Sequence, residues 1–247
     1  MVSSIFLSPH LDDAVLSCGG RIARQARAGE RVQVVTLFAG RPQGALSPFA
    51  QSLHRRWAVK DAAAVRRAED RAALAYLGAE AVHWEYLDCI YRRAPDGRHL
   101  YTGEAALWAA VHPADGPLID SLARRIAALP EGAALYAPLG VGGHVDHQLT
   151  RRAAEALGRL LTYYEEYPYG EKVDAVTAAL GAGDWSSRLV SLDAASLAAR
   201  IAAAACYRSQ VSTFWADEAD MAARIRAYAL RVGEGEPAER YWRPAHS

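Results

Sequence analysis

Two short clusters of histidines and carboxylates carry the chemistry that this sequence offers. The first is Pro9-His10-Leu11-Asp12-Asp13, and the second is His144-Val145-Asp146-His147. Imidazole and carboxylate groups are typical ligands of catalytic Zn²⁺, which takes three protein ligands and leaves one position for water. The same ligand types also hold non-haem Fe(II), so the residue types leave Zn²⁺ and Fe²⁺ both open.

The spacing of the first cluster suggests which of its residues bind the metal and which one acts as a base. His10 and Asp13 are three residues apart, so a turn of the chain places both on one side, and His147 can join them from the second cluster. Asp12 is then a free carboxylate beside the metal, where it could take a proton from the attacking water.

The remaining groups of the second cluster have complementary chemistry. His144 precedes His147 by three residues and could face the same cavity, where it would stabilise an oxyanion or protonate the leaving amine. Asp146 could orient one imidazole through that ring's second nitrogen. Each cluster taken singly could also be an ordinary helix cap, and it is their combination that favours a metal site.

The elements around the clusters explain why they should meet. Apolar runs and helical spacing predict a strand at 5–7, a helix at 14–28 and a strand at 32–38. The alternation continues with predicted helices at 55–77, 117–129 and 146–157 and predicted strands at 81–85, 133–137 and 160–165. This pattern predicts an α/β fold with a Rossmann-like, mostly parallel sheet and helices on both faces. Ligands of such sheets bind beyond the carboxyl ends of the strands, which is where both clusters fall.

Two long loops and a tail complete the predicted fold. The loops at 40–53 and 89–116 are long enough to be functional, and the aromatic residues of the second could form a lid core or stack on sugar rings. Glu165 and Glu166 are interpreted as capping or solvated charges. The tail from 191 onward is predicted to be mostly helical, and we expect one domain over 1–247 because no linker divides the chain.

Composition limits the partners. The 247 residues include 28 Lys+Arg and 28 Asp+Glu, so no net positive charge favours nucleic acid or an anionic membrane. No apolar run approaches the roughly 20 residues that span a bilayer. The 3 cysteines are widely spaced, which fits a reducing compartment, and we expect a cytoplasmic protein with a small-molecule substrate. The oligomeric state stays open, with a homo-oligomer as one form to test.

The two clusters resemble the paired signatures of the PIG-L superfamily, also called LmbE-like, of metal-dependent N-acetylglucosaminyl deacetylases. The resemblance extends over most of the chain, through Gly19-Gly20, the turn at 28–32, Arg66-Arg67-Ala68-Glu69-Asp70, Asp88, the segment at 164–169 and Tyr207-Arg208-Ser209-Gln210. The chain has Gly142 where members of the thiol-biosynthesis branch have a tyrosine two residues before the first histidine of the second signature.

The resemblance implies a role for each matching position. It makes His10, Asp13 and His147 the metal ligands, Asp12 the general base, His144 the acid or the group that stabilises the tetrahedral intermediate, and Asp146 its support. Arg67 and Asp88 fall where family members hold sugar hydroxyls, with Arg66 as an equally placed competitor of Arg67.

The implied function is a zinc-dependent hydrolase, with Fe²⁺ as the other metal, that removes the N-acetyl group from an N-acetylated amino sugar. The products are acetate and a free amine. A metal-dependent amidase acting on a larger amide conjugate is the alternative, because it would use the same site. A non-catalytic sugar-binding relative is disfavoured by the presence of Asp12.

Overall fold

A computed structural model describes residues 1–245, apart from the side chain of Val173. Residues 246–247 of the predicted domain therefore lie outside the described residues. Within the described chain, the strands are β1 (Ser4–Ser8), β2 (Val32–Thr36), β3 (Glu80–His83), β4 (Ala134–Pro138), β5 (Leu161–Tyr164), β6 (Trp185–Ser191) and β7 (Ala238–Pro244). They form one sheet in the order β3-β2-β1-β4-β5-β7-β6.

The sheet is mostly parallel, as predicted. Strands β1 to β5 pair in parallel with their neighbours, whereas β7 is antiparallel to β5 and β6 is antiparallel to β7. The helices are α1 (Asp13–Arg27), α2 (Pro48–Arg56), α3 (Ala62–Leu77), α4 (Glu104–Leu107), α5 (Gly116–Ala127), α6 (Val145–Glu155), α7 (Val173–Leu180), α8 (Ala194–Ala204), α9 (Arg208–Phe214) and α10 (Glu218–Val232). The predicted fold class is confirmed.

Both faces of the sheet are buried, because side chains alternate along each strand. On β1, Ile5 and Leu7 pack on one face with Leu122 of α5. Phe6 packs on the opposite face with Ile22 of α1. This burial on two sides explains why the central strands are continuous apolar runs.

The single helix predicted at 55–77 is wrong. The structure has two helices there, α2 and α3, and Ala58 between them has a φ of 53°, in the left-handed region that a helix does not continue through. Ser47 caps α2 by accepting from the Ala50 N–H, and Asp61 caps α3 by accepting from the Ala64 N–H. Helix α2 therefore occupies part of the segment that was predicted to be a loop at 40–53.

Strands β6 and β7 are among the elements that the sequence did not predict. They pair antiparallel along 7 residues at the edge of the sheet. Strand β6 reads Trp-Ser-Ser-Arg-Leu-Val-Ser and is mostly exposed, so it lacks the apolar run of a buried strand. None of the described helices is both long enough and apolar enough to cross a membrane.

Candidate active site

The two predicted clusters meet at the carboxyl ends of β1 and β4, which are adjacent parallel strands. The first cluster lies between β1 and α1, and α1 begins at Asp13. The second lies at the start of α6, where the His144 side chain caps the helix by accepting from the Asp146 N–H at 3.3 Å. Parallel pairing of the two strands thus brings residues more than 130 positions apart into one site.

The three predicted metal ligands converge on one carboxylate oxygen. Asp13 Oδ2 lies 3.2 Å from His10 Nδ1 and 3.3 Å from His147 Nε2. Two ligand atoms bound to a tetrahedral Zn²⁺ at its usual bond lengths stand roughly 3.3 Å apart. His147 Nε2 is buried and has no hydrogen-bond partner in the described part of the chain. The donor set therefore fits a metal ion bound at these atoms.

The far nitrogen of each imidazole is braced by a buried carboxylate. His10 Nε2 lies 2.9 Å from Asp146 Oδ2, and His147 Nδ1 lies 3.1 Å from Glu166 Oε1. A carboxylate in this position fixes the ring orientation and increases the basicity of the coordinating nitrogen. Both rings therefore present their other nitrogen toward Asp13.

Glu166 is a functional residue that the sequence interpretation missed. Both glutamates are buried rather than capping or solvated: Glu165 bonds with the Tyr228 hydroxyl, and Glu166 accepts the N–H groups of Gly140 and Val141. The signal was the position of Glu166 just beyond β5, since β5 neighbours β4 in the sheet.

The electrostatics of the cluster follow from these contacts. Burial opposes charge on both rings, but hydrogen bonds to Asp13 and Asp146 raise the pKa of His10 well above its usual value. Against the same burial, Asp13 and Glu166 raise the pKa of His147 to about 9. Burial favours the protonated carboxyl of Asp13, yet the two imidazoles keep its pKa well below the usual range. Without a metal, the cluster is thus a network of imidazolium and carboxylate groups, and a metal would replace protons.

Asp12 is the carboxylate that stays outside this network. Burial raises the pKa of Asp12 to about 7, although the nearby Arg66 guanidinium lowers it. Arg66 Nη2 donates to Asp12 Oδ2 at 3.4 Å. A carboxylate that titrates near neutral pH is suited to accept and return a proton.

His144 is held as a neutral ring. Burial and the positive charge of His10 keep the pKa of His144 well below its usual value. Because Nδ1 accepts the Asp146 N–H, the neutral ring carries its hydrogen on Nε2. The Asp146 carboxylate bonds with His10 and not with His144, so its support of His144 runs through its backbone N–H.

The structure separates the two neighbouring arginines that the sequence left as competitors. Arg66 is buried, lines the cavity and lies 3.9 Å from Asp88 Oδ2 through Nη1. Arg67 donates instead to the Ala39 carbonyl at 3.1 Å and to Glu85 Oε1 at 2.7 Å. Of the predicted substrate-binding pair, Asp88 is thus at the cavity, and Arg67 is not among its described lining residues.

A cavity of roughly 830 Å³, measured with its open mouth, lies over the cluster. Its lining includes the aromatic side chains of Phe49, Trp57, Trp108, Tyr169 and Phe214, which we call the aromatic wall. Trp108 is 40% exposed and packs edge-on against His144, with ring centroids 5.1 Å apart. In the predicted loop at 89–116, Tyr91 and Tyr101 are buried in an apolar cluster and are not among the described lining residues, so only part of that loop's aromatic content faces the cavity.

The structure explains why position 142 is a glycine. Its φ is 84°, and a Cβ there would lie 3.2 Å from the Tyr169 side chain. Tyr169 belongs to the loop after β5 and packs edge-on against His147. The ring of Tyr169 therefore occupies the space beside position 142.

Comparison with known proteins gives consistent matches. The model of the PIG-L family, described as GlcNAc-PI de-N-acetylase, matches residues 5–157. The 2'-N-acetylparomamine deacetylase of Niallia circulans is 26% identical over 189 residues, which cover 68% of each chain. The enzyme of the same name from Streptomyces fradiae is 30% identical over 179 residues, which cover 70% of this chain and 60% of that relative. The zinc-inhibited form of teicoplanin deacetylase Orf2 matches with a TM-score of 0.84 at 30% identity, covering 100% of both chains.

These matches identify the chain as an N-deacetylase, which is a hydrolase that removes the N-acetyl group of an amino sugar. The chain belongs to the PIG-L family, as the resemblance of its two clusters indicated. The predicted activity is confirmed, and the alternative of an amidase for larger amides is not favoured.

Proposed function

We propose that this chain deacetylates an N-acetylglucosamine-type amino sugar carried by a larger conjugate, with a single metal ion bound by His10 Nδ1, Asp13 Oδ2 and His147 Nε2. The observation that carries this proposal is the position of Asp13 Oδ2, 3.2 Å and 3.3 Å from two imidazole nitrogens. When bound, Zn²⁺ or Fe²⁺ would polarise the acetyl carbonyl and lower the pKa of water.

Asp12 moves the proton in this proposal. Its carboxylate takes a proton from the attacking water and then returns it to the amine nitrogen as the C–N bond breaks, so that acetate and the free amine leave. The pKa of about 7 supports both steps, because the group can accept and donate at neutral pH. Arg66 orients the carboxylate through its contact with Oδ2.

His144 stabilises the oxyanion rather than supplying the proton. Its pKa is held well below the usual value chiefly by burial, so the ring is neutral at pH 7. The hydrogen on Nε2 is then available to bond the developing oxyanion. Asp146 contributes by bracing His10 and by capping the His144 ring through its N–H.

The sugar is held by Asp88 and Arg66, which line the cavity beside Asp12. The relatives named above are a 2'-N-acetylparomamine deacetylase and a teicoplanin deacetylase, and for this chain we expect an amino sugar within a larger conjugate. The open mouth and the aromatic wall of this cavity suit such a conjugate, because aromatic faces pack on sugar rings and apolar groups.

Two further expectations belong to this proposal. The chain works as one domain, because strands from residue 4 to residue 244 share a single sheet. It works in the cytoplasm, where its free cysteines Cys18, Cys89 and Cys206 would stay reduced.

The test is a panel of N-acetylhexosamines and their conjugates, with acetate release and metal content measured on the same preparation. We expect about one Zn²⁺ or Fe²⁺ per chain and acetate release from at least one conjugate. A metal-loaded protein that releases longer acids but no acetate would contradict the proposal.

A further inference from the structure

A buried arginine connects the metal-binding cluster to the loop that supplies Trp108. Arg92 Nη2 lies 2.6 Å from Asp146 Oδ1, and Arg92 Nε donates to Asp115 Oδ2 at 2.9 Å. All three side chains are buried, with less than 10% of each exposed. One guanidinium thus bridges two carboxylates from distant parts of the chain, a geometry that lysine cannot reproduce.

The Asp146 end of this bridge leads to the proposed metal centre. Asp146 Oδ2 lies 2.9 Å from His10 Nε2 and accepts the Cys89 N–H at 3.0 Å, while Oδ1 forms an ion pair with Arg92 Nη2. The carboxylate is therefore held from both oxygens, and its orientation sets the orientation of the His10 ring.

The Asp115 end leads to the cavity. The Tyr101 hydroxyl donates to Asp115 Oδ2 at 2.7 Å and accepts the His112 N–H at 3.0 Å. Arg92 and Asp115 are the two ends of the segment 92–115, so the Arg92 guanidinium holds both ends of this segment together. Leu107 and Trp108, which line the cavity, lie within it.

We propose that Arg92 is a positioning residue that couples the loop 92–115 to the metal centre, by fixing Asp146 and through it His10. Arg92 is absent from the described lining of the cavity, so it acts without touching substrate. The inference rests on the proposed metal site.

The first test is the Zn²⁺ dissociation constant of the apoprotein, measured by competition with a chelator. Loss of a group that orients a metal ligand typically weakens metal binding about 10–100-fold, and we expect this for Arg92→Met. In an Asp146→Asn background, the same change should weaken binding by less than about threefold, because the path through Asp146 is already broken. Losses that multiply in the double variant would overturn the inference.

Arg93→Met is the matched control. Arg93 follows Arg92 directly, is exposed, and donates to the carbonyls of Gly97 and Ala45 rather than to a carboxylate. We expect its Zn²⁺ affinity to equal that of the wild type. If Arg92→Met does not fold, Arg92→Lys carries the test, since it keeps the charge but cannot bridge both carboxylates; unchanged affinity in that variant would overturn the inference.

The second test is hydrogen exchange of the loop amides. We expect saturating Zn²⁺ to slow exchange over 92–115 in the wild type and in Arg93→Met, but not in Arg92→Met. Equal protection in all three proteins would contradict the coupling. Failure of the proposed function would give a different result. If the proposed metal site is wrong, His147→Ala will bind Zn²⁺ with the same affinity as the wild type.

Discussion

The floor and the aromatic wall of the cavity are built on opposite principles. We call His10, Asp13 and His147, over which the cavity lies, the floor. They lie just beyond the carboxyl ends of β1 and β4, and their ionisable side chains are at most 12% exposed and contact one another. The wall comes largely from the segments outside the parallel sheet, at 40–53, 89–116 and 208–214, and is mainly aromatic. The floor therefore fixes the chemistry, and the wall is free to set the conjugate that is accepted.

The largest effect should follow from removing a ligand in the floor. We expect His147→Ala to lower metal content from about one equivalent to a small fraction and deacetylation to background, because one of three protein ligands is lost. Elemental analysis and acetate release on the same sample measure both. Near-stoichiometric metal in this variant would break the assignment of the floor.

Asp12→Asn should separate catalysis from metal binding, because Asp12 lies beside the floor and is not one of its proposed ligands. General acid–base catalysis contributes about 10²–10⁴-fold, so we expect kcat to fall by that factor while metal content stays near the wild-type value. Steady-state kinetics with elemental analysis check this. Wild-type kcat with metal still bound would show that another group takes the proton.

The neighbouring arginines offer a matched pair at the edge of the floor. Arg66→Met removes the partner of Asp12 and Asp88, and we expect kcat/KM to fall about 10–100-fold, since a buried charge-assisted contact is lost. Arg67→Met should stay within about twofold, because Arg67 contacts Ala39 and the exposed Glu85. A larger loss at Arg67 would return that residue to the substrate-binding role that the family resemblance suggested.

The smallest effect belongs to the wall. Trp108→Ala should raise KM for a conjugate with a large apolar group by about fivefold and leave free N-acetylglucosamine within about twofold, because half-exposed aromatic packing is worth only about 1 kcal/mol. Comparing the two substrates measures it. Equal losses for both would show that Trp108 serves the chemistry through its contact with His144.

Local signals in the sequence predicted the floor better than the wall. The clusters at 9–13 and 144–147 stand next to apolar strands, so the parallel-sheet rule alone placed them together. Glu166 was misinterpreted because its partner His147 is distant in the sequence, and burial is not visible in a local pattern. Arg66 and Arg67 could not be separated, since their orientation depends on the exact start of α3 at Ala62, which the single predicted helix at 55–77 had missed.

The sequence also failed to predict the strands at the edge of the sheet, and the reason is related. Strand β7 reads Ala-Glu-Arg-Tyr-Trp-Arg-Pro, and its pairing with β5 and β6 joins residues at least 47 positions apart in the sequence. Glu239 of β7 accepts the N–H groups of Gly20 and Arg21 in α1, a long-range contact that no local pattern reports. Propensity is a weak guide where tertiary pairing decides.

The location of the bound metal tests the central claim most directly. We predict that a crystal of the protein loaded with Zn²⁺ gives one anomalous scattering peak at bonding distance from His10 Nδ1, Asp13 Oδ2 and His147 Nε2. The group Cys89, His144 and Asp146 is a competing site, because its ligand atoms all lie within 4.8 Å of one another. A peak there, with none beside Asp13, would contradict the account.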